Sequence, residues 1–523
     1  MADRLTLGID VGTGSARAGL FDGAGRLAGH GAHPIHLWQD GELAEQSSAD
    51  IWLAVCRATA GALEAAEAKA EDVAGIGFDA TCSMAVLSSD GSPVTVSRSG
   101  HPARDVIVWM DHRAIDQARR INETDHPVLR YVGGRISPEM QTPKLLWLKE
   151  NMPQSYAGAG HFMDLPDWLT WRATASTARS ICTVTCKWTY LAHEHRWDSS
   201  YFREIGLEDL AEAPARIGTE IVPLGTPLGS GLSPEAAADL GLIRGIPVAA
   251  SLIDAHAGGI GTLGAADGPG EATSRMAYVF GTSACTMTST QDPTFVPGVW
   301  GPYHSAMIPG LWLNEGGQSA AGAAIAQLLA MHPASARAET NGQSLPHALA
   351  EEAAAMGDAF AVAGEITVVP DFNGNRSPHA DPGARAVIAG LGARTDHGSL
   401  IALYAAGLLG LGYGLRQILE AQRNAGIDTE AIVVSGGAGA HPFVRQTLAD
   451  ATGLPILLPE TPEPVLLGSA MLGAVAAGIH ADIPVAMRAM SRNAARLSPD
   501  PARTDAHTAR FRRFAALQAA SGL

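Results

Sequence analysis

The first 35 residues alternate between apolar runs and short turns rich in glycine. The apolar runs cover residues 5–11, 16–21 and 26–35. Runs of this length separated by glycine-containing turns predict an antiparallel β-meander. The first turn, residues 12–15, joins glycines to hydroxyl side chains. It is therefore either a plain tight hairpin or a loop whose backbone amides converge on a phosphate.

A similar unit returns in the second half of the chain. Residues 275–280 predict a strand, residues 281–283 (GTS) a turn, and residues 284–289 the returning strand. Two related domains with a phosphate held between facing turns would explain this repetition. Asp10, near the end of the first strand, has the oxygen chemistry to hold a hydrated Mg²⁺ beside such a phosphate.

Periodic patterns in the rest of the chain alternate between helix and strand. They predict helices at 47–68, 320–330, 397–425 and 442–452, and strands at 73–78, 84–87, 367–370 and 431–434. This alternation favours the α/β class. Residues 435–439 (SGGAG) stand between a strand and a helix, so their amides either form a niche for a nucleotide or allow close packing.

Three charged residues stand in apolar surroundings. Residues 246–252 predict a buried strand that leads to Asp254, and this acid is either a helix N-cap or a functional carboxylate. Lys187 follows seven uncharged residues, so it either snorkels to the surface or faces a substrate from a strand end. Glu315, before the helix at 320–330, either caps that helix or contacts a ligand.

The composition limits the number of domains and the kinds of partner that the protein can have. A chain of 523 residues with 46% hydrophobic residues is long enough for two domains. The net charge of −17 and the lack of a Lys/Arg cluster exclude nucleic acid and anionic membranes as expected partners. The longest apolar run, residues 465–479, is too short to span a bilayer. The start of the sequence has no signal-peptide core.

The cysteines indicate a reducing compartment. Cys56, Cys82, Cys182, Cys186 and Cys285 are odd in number and scattered, which favours free thiols in a soluble cytoplasmic protein. Cys182 and Cys186 lie four residues apart, but no second Cys or His pair follows at metal-ligand spacing. The spacing therefore argues against zinc.

Several motifs occur in an order that resembles a known family. They are GIDVGT from Gly8, MQTPKLLWLKEN from Met140, ASLIDAHAG from Ala250, VFGTS from Val279 and VVSGGAGAHPFVRQTLADATG from Val433. Together they resemble the FGGY carbohydrate kinases of the actin-like ATPase superfamily. WMDHRA, GGRISPEMQTPK, TCKWTY and DFNGNRSP make the chain most similar to pentulose kinases of the D-ribulokinase type.

The resemblance implies an α/β fold of two actin-like (ribonuclease H-like) domains with a catalytic cleft between them. Residues 1–262 would bind the sugar and carry the catalytic base, and residues 263–523 would bind ATP. The hinge is expected near residues 261–270. A homodimer is left open.

The resemblance also implies roles for individual residues. Asp254 matches the general base and a sugar contact, and Asp10 matches the acid that orders Mg²⁺. Positions matching the nucleotide site are Thr13, Gly281, Thr282, Asn373, Gly436, Gly437 and Ala438. Positions matching the sugar site are Cys82, Asp111, Lys187 and Glu315. His441 stands where the family usually has a small polar residue.

The expected reaction is ATP- and Mg²⁺-dependent phosphorylation of D-ribulose to D-ribulose 5-phosphate. Kinases of L-ribulose, ribitol, D-xylulose or glycerol are the alternatives, although Cys82-Ser83 replaces the Met-His pair of xylulose kinases. A non-catalytic sensor of sugar and ATP is a further alternative, and an actin-like chaperone would need a peptide-binding domain for which no segment remains.

Overall fold

The structure is a computed structural model that describes residues 4–521 except 266, 268, 269, 339 and 341. The first half of the chain alternates strands and helices. Its strands are β1 (Leu5–Val11), β2 (Ser15–Phe21), β3 (Leu27–Pro34), β4 (Trp38–Asp40), β5 (Leu43–Gln46), β6 (Val73–Ala80), β7 (Met84–Leu87), β8 (Val106–Ile107), β9 (His161–Asp164), β10 (Arg179–Ser180), β11 (Ile221–Val222) and β12 (Leu252–Ile253). Its helices are α1 (Ser48–Ala65), α2 (Ile115–Glu123), α3 (Gln141–Asn151), α4 (Pro153–Gly158), α5 (Leu165–Thr174), α6 (Ile181–Trp188), α7 (Ser199–Glu204), α8 (Glu208–Glu212), α9 (Pro234–Leu240) and α10 (Asp254–Leu263).

The second half follows the same alternation. Its strands are β13 (Arg275–Phe280), β14 (Ala284–Thr290), β15 (Trp300–His304), β16 (Trp312–Gln318), β17 (Thr367–Val369), β18 (Val387–Ala389), β19 (Ala431–Ser435), β20 (Ile456–Pro459) and β21 (Asn493–Leu497). Its helices are α11 (Gly322–Ala330), α12 (Leu345–Met356), α13 (Ala359–Ala363), α14 (His397–Asn424), α15 (Pro442–Thr452), α16 (Pro464–Ala476), α17 (Ile483–Met490) and α18 (Thr504–Ser521).

Each half builds a sheet of the same order. In the first sheet the order is β3-β2-β1-β6-β12, and in the second the order β16-β14-β13-β19-β20 is extended by β15 and β21 at its two edges. In both sheets an antiparallel meander is followed by two strands parallel to its first strand. This duplication confirms the predicted α/β fold with two related domains.

A backbone hydrogen bond from a glycine amide closes the hairpin at the head of each sheet. In the first hairpin the Gly12 amide donates to the Ser15 carbonyl at 3.0 Å, and in the second the Gly281 amide donates to the Ser283 carbonyl at 2.9 Å. The sequence predicted both turns, because apolar strands on either side of Gly-Thr leave little alternative to a hairpin.

Two helices are exchanged between the sheets. Although α10 continues directly from β12 of the first sheet, it packs on β13 and β19 of the second. Conversely, α16 comes from the second half of the chain and lies on β1 and β6 of the first sheet. The contacts are so close that a Cβ at Gly8 would lie 2.1 Å from the Leu466 carbonyl oxygen, and one at Gly261 2.0 Å from that of Pro464. Glycine is therefore required at both positions.

The exchange bears on the predicted domain boundary. The division between residues 262 and 263 falls at the C-terminus of α10, the helix that crosses from one sheet to the other. Residues 266, 268 and 269 of the predicted hinge lie outside the described residues, and the boundary stays a prediction.

Three local predictions are wrong. Lys187 lies in the last turn of α6 and not at a strand end, because Ser180 caps the segment by accepting a hydrogen bond from the Cys182 amide. The predicted strand at 246–252 is regular only at β12, since Val248 makes just an isolated bridge to the first sheet. Glu315 caps no helix, because it lies in the middle of β16.

One described helix, α14, is long and apolar enough to cross a membrane by length and composition alone. Its most apolar 18-residue window has a mean hydropathy of 1.5, and 78% of that window is buried inside the protein. α14 packs against α11, α13 and α15, as a core helix does. The longest apolar run in the sequence analysis, residues 465–479, lies mostly in α16, which is also buried.

Candidate active site

A cleft between the two sheets brings together most of the residues singled out in the sequence. Its cavity of about 260 Å³ is lined from one side by Asp10, Thr13 and Asp254, and from the other by Gly281 and Thr282. The two hairpin turns therefore face each other across one cavity. The Thr13 hydroxyl accepts a hydrogen bond from Trp109 Nε1 at 2.9 Å, which fixes its orientation.

Three acids meet at the carboxyl ends of adjacent parallel strands. Asp10 of β1 pairs in register with Asp79 of β6, and β12 beside them delivers Asp254. Asp254 is the first residue of α10, and its Oδ1 accepts a hydrogen bond from the Ala255 amide at 2.7 Å. It is not the N-cap, a position held by Ile253.

The crowding of these acids changes their acidity. Burial, together with the Asp10 carboxylate, raises the pKa of Asp254 to about 6. The same two causes hold the pKa of Asp79 well above its usual value, although Ser469 donates a hydrogen bond to Asp79 Oδ2. Asp254 is thus a stronger base than an exposed aspartate, as proton abstraction requires.

The surroundings of Asp10 fit a divalent cation. Arg17 Nε donates to Asp10 Oδ2 at 2.8 Å, and Arg17 Nη1 donates to Glu463 Oε2 at 2.9 Å. Among the residues described, buried Asp79 Oδ1 has no hydrogen-bond partner. Adjacent carboxyl oxygens at the edge of an open cleft are ligands that Mg²⁺ accepts, directly or through water.

A buried ion pair forms one wall of the cleft. Lys187 Nζ lies 3.3 Å from Glu315 Oε1, and both side chains are about 95% buried. Burial disfavours both charges, but each partner more than offsets this for the other: Glu315 raises the pKa of Lys187, and Lys187 with His256 lowers that of Glu315. Lys187 Nζ also lies 4.7 Å from the ring centroid of Trp300, a cation–π distance.

A second ion pair crosses the cleft between the two halves of the chain. Arg376 Nη2 lies 3.4 Å from Glu139 Oε1, and the Arg376 guanidinium lies 5.6 Å from the Trp300 ring. Burial opposes ionisation of Glu139, yet Arg376 and His112 lower its pKa to about 2. The wall of the cleft therefore carries fixed charges of both signs.

Two of the expected sugar contacts differ in placement. Cys82 lines the cavity, and burial raises the pKa of its thiol to about 12, so the thiol is neutral. Asp111 lies outside the lining and is fully buried. Its carboxylate accepts hydrogen bonds from Arg113 Nε at 2.8 Å and from the Ala44 amide at 2.7 Å. These contacts make Asp111 a support for the loop that follows β8.

A second cavity of about 210 Å³ opens beside the Gly281 turn. Gly437 and Ala438 line it together with apolar side chains, among them Ile325 and Tyr404. It connects to the turn through Gly322, whose amide donates to the Gly281 carbonyl at 2.9 Å. An apolar slot with backbone amides at one end suits a flat heterocycle attached to phosphates.

The remaining positions of the predicted nucleotide site differ in where they lie. Gly436 has φ +93°, and a Cβ there would lie 2.5 Å from the Phe280 carbonyl oxygen. His441 lines the slot, and its Nδ1 caps α15 by accepting from the Phe443 amide at 3.1 Å. Asn373 is exposed and lines neither of these two cavities.

Sequence reasoning missed several residues of the cleft. Arg376 and His256 lie inside two of the quoted motifs, DFNGNRSP and ASLIDAHAG. Neither a polar loop nor a buried helix gives a local sign of the distant residues that it contacts. Asp79 also ends a predicted strand, as Asp254 does, and this shared signal could have identified it. Glu139 likewise lies inside a quoted motif, GGRISPEMQTPK, whereas Trp300 lies in none.

Comparisons with known proteins agree with this geometry. Models of the FGGY family of carbohydrate kinases match residues 5–261 for the N-terminal domain and 276–477 for the C-terminal domain. An FGGY carbohydrate kinase domain-containing protein of Homo sapiens is 46% identical over 507 residues, covering 94% of this chain and 92% of the relative. D-ribulokinase of Saccharomyces cerevisiae is 35% identical over 510 residues, covering 90% and 71%.

The fold is also shared with solved structures. A ligand-bound xylulose kinase from Lactobacillus acidophilus superposes with a TM-score of 0.81 at 18% identity, covering 99% of this chain and 98% of the other. At that identity the likeness concerns the fold alone.

Proposed function

The chain belongs to the FGGY family of carbohydrate kinases, and on that premise we propose that it transfers the γ-phosphoryl group of ATP to the C5 oxygen of D-ribulose. Its relatives include a D-ribulokinase at 35% identity and ribulokinases such as that of Bacillus licheniformis at 29% identity. These names support a pentulose as the sugar.

The observation that carries the proposal is the buried pair of Lys187 and Glu315 on the wall of the cleft that Asp254 enters. A buried ammonium and carboxylate offer a hydrogen-bond donor and an acceptor to a ligand with several hydroxyl groups. A site of this kind discriminates strongly against analogues that lack a hydroxyl, because a buried polar group is then left unpaired. A polyhydroxylated sugar satisfies both.

In the proposed reaction Asp254 accepts the proton of the attacking hydroxyl, and its raised pKa favours that transfer. The turns at Thr13 and at Gly281-Thr282 hold the phosphates, while Gly436, Gly437 and Ala438 bound the adenosine slot. Asp10 would hold Mg²⁺, which when bound neutralises phosphate charge. Release of Asp10 from Arg17 would leave that guanidinium free to contact a phosphate.

The test is a panel of acceptors in an assay that couples ADP release to a visible signal. We expect D-ribulose to give the highest kcat/KM, with ribitol, L-ribulose and D-xylulose slower and glycerol much poorer. Nuclear magnetic resonance of the product locates the phosphate on C5. If glycerol outperforms every pentulose, both the substrate and the role of the charged wall are wrong.

A second measurement separates a kinase from a sensor. Calorimetry detects binding of sugar and ATP whether or not they react, so binding without turnover for every acceptor would favour a non-catalytic sensor. Small-angle scattering should show a smaller radius of gyration with both ligands bound, because closing the cleft excludes water from the transferred phosphoryl group.

A further inference from the structure

A cluster of soft ligands lies directly behind the catalytic wall, where α6 meets α10. Cys182 and Cys186 occupy successive turns of α6, and His256 lies in the first turn of α10. All three side chains are fully buried. Their ligand atoms all lie within 4.8 Å of one another, and Cys182 Sγ is 3.0 Å from His256 Nδ1. The kinase chemistry uses none of these three groups.

The second ring nitrogen of His256 already has the partner that a metal-bound histidine needs. His256 Nε2 lies 3.3 Å from Glu315 Oε2. A neutral imidazole that donates its Nε2 proton to this carboxylate presents the Nδ1 lone pair to the two sulfur atoms. A carboxylate behind the ligating histidine is the usual support of zinc sites, because it fixes the tautomer and strengthens the ligand.

The charge balance also suits a divalent ion. Zinc binds cysteine as the thiolate and histidine as the neutral imidazole, so binding of one Zn²⁺ releases two protons from this cluster. The three side chains are neutral overall before binding, and with the ion they are again neutral, so no uncompensated charge is buried.

We propose that Cys182, Cys186 and His256 bind one zinc ion that ties α6 to α10. Thiolate and imidazole ligands select a soft or borderline cation, and a monovalent ion would leave a net negative charge in the core. Tetrahedral zinc holds sulfur and nitrogen ligands roughly 3.5–3.8 Å apart, so the 3.0 Å contact has to open by about half an ångström. One coordination position remains for water.

This inference does not depend on which sugar is phosphorylated. Spacing in the sequence argued against zinc, because the third ligand lies 74 residues from Cys182 along the chain. The ion would fix the helix that carries Lys187 against the helix that carries Asp254, and its ligand His256 contacts Glu315. Metal content and substrate preference are measured separately, so the zinc proposal and the proposed function can be refuted independently.

The test measures metal content directly. Full-length protein is produced with zinc in the medium and purified without chelators. It should contain about one zinc per chain by inductively coupled plasma mass spectrometry. After removal of metal, Cd²⁺ alone should restore a thiolate-to-metal charge-transfer absorption that saturates at one equivalent. Zinc should also raise the Tm of the metal-free protein.

Matched variants decide which thiols are responsible. Cys186→Ser and His256→Gln should lower the zinc content more than tenfold, whereas Cys56→Ser, at a half-buried thiol on α1, should leave it unchanged. A wild-type protein that neither contains zinc nor gives the Cd²⁺ absorption overturns the proposal, even if a variant fails to fold. So does an equal loss in Cys56→Ser and Cys186→Ser, or a Cys182–Cys186 disulfide in freshly prepared protein.

Discussion

The proposed sugar wall and the proposed adenosine slot differ in the kind of residue that lines them. The sugar wall consists of buried charged side chains, Lys187 with Glu315 and Arg376 with Glu139. The slot is lined mostly by glycine, alanine and apolar side chains such as Tyr404, and none of the described residues that line it is a lysine, arginine, aspartate or glutamate.

The ligands proposed for the two regions account for this difference. A sugar presents hydroxyl groups in a particular stereochemistry, which only placed donors and acceptors can distinguish. Adenine presents a flat apolar face, and phosphates accept hydrogen bonds from any backbone amide. Substitutions in the two regions should therefore impair the protein in different ways. Loss of a side chain should impair the sugar wall, and backbone strain should impair the slot.

The largest expected effect is at Asp254, which lines the same cleft as Lys187 and Glu315. Asp254→Asn should lower kcat by about 10²–10⁴, the usual loss for a positioned general base, with little change in the KM for sugar or ATP. Steady-state kinetics with both substrates varied measure this. A kcat near that of the wild type would show that another group takes the proton.

On the sugar wall, Lys187→Met should raise the KM for the sugar by about 10- to 100-fold, the value of one or two hydrogen bonds to a charged group, and that for ATP far less. It should also lower the Tm, because the buried carboxylate of Glu315 loses its partner. Lys69→Met, at an exposed lysine, is the control and should change neither value. Equal rises in both KM values would remove the distinction between the two regions.

In the slot, Gly436→Ala should raise the KM for ATP roughly tenfold and lower stability by about 1–3 kcal/mol, because φ is +93° and the Cβ meets the Phe280 carbonyl oxygen. The KM for sugar should change little. The matched control is Gly437→Ala, since a Cβ there has nothing within 4 Å. If both variants raise the KM for ATP equally, the added methyl group acts by filling the slot and not by straining the backbone.

The smallest effect is expected at His441, which both lines the slot and caps α15. His441→Asn should change the KM for ATP less than about threefold, since asparagine is also a good N-cap. His441→Ala should cost about 1 kcal/mol of stability through loss of the cap. Thermal unfolding of the two variants side by side separates the cap from the contact with ATP.

Much of the fold could be predicted because it is encoded locally. The meander at the head of each half follows from apolar runs around Gly-Thr, and α15 follows from a helical pattern after His441-Pro442. Predictions failed where the local signal was ambiguous. The uncharged run before Lys187 suits a buried helix as well as a strand, and only the Ser180 cap and the packing decide for α6.

The candidate site divides in the same way. Asp10, Asp254 and the glycine turns could be identified from the sequence because each places an acid or a glycine at the end of an apolar strand. The pairing of Glu139 with Arg376 could not be predicted, since these residues are 237 positions apart in the chain and only the packing of its two halves brings them together. Asp111 is expected at the sugar site by its motif, and only the structure shows that it is fully buried and accepts a hydrogen bond from Arg113.

The sequence by itself determined two related α/β units, the family, and the carboxylate at the end of β12. Periodicity and turn chemistry act over a few residues, so they can be read without knowing what packs against them. Only the tertiary structure decided the exchange of α10 and α16, the alignment of Asp10 with Asp79, and the approach of His256 to the two cysteines. Each of these depends on which faces of distant segments are buried together, and that depends on the packing of the whole chain.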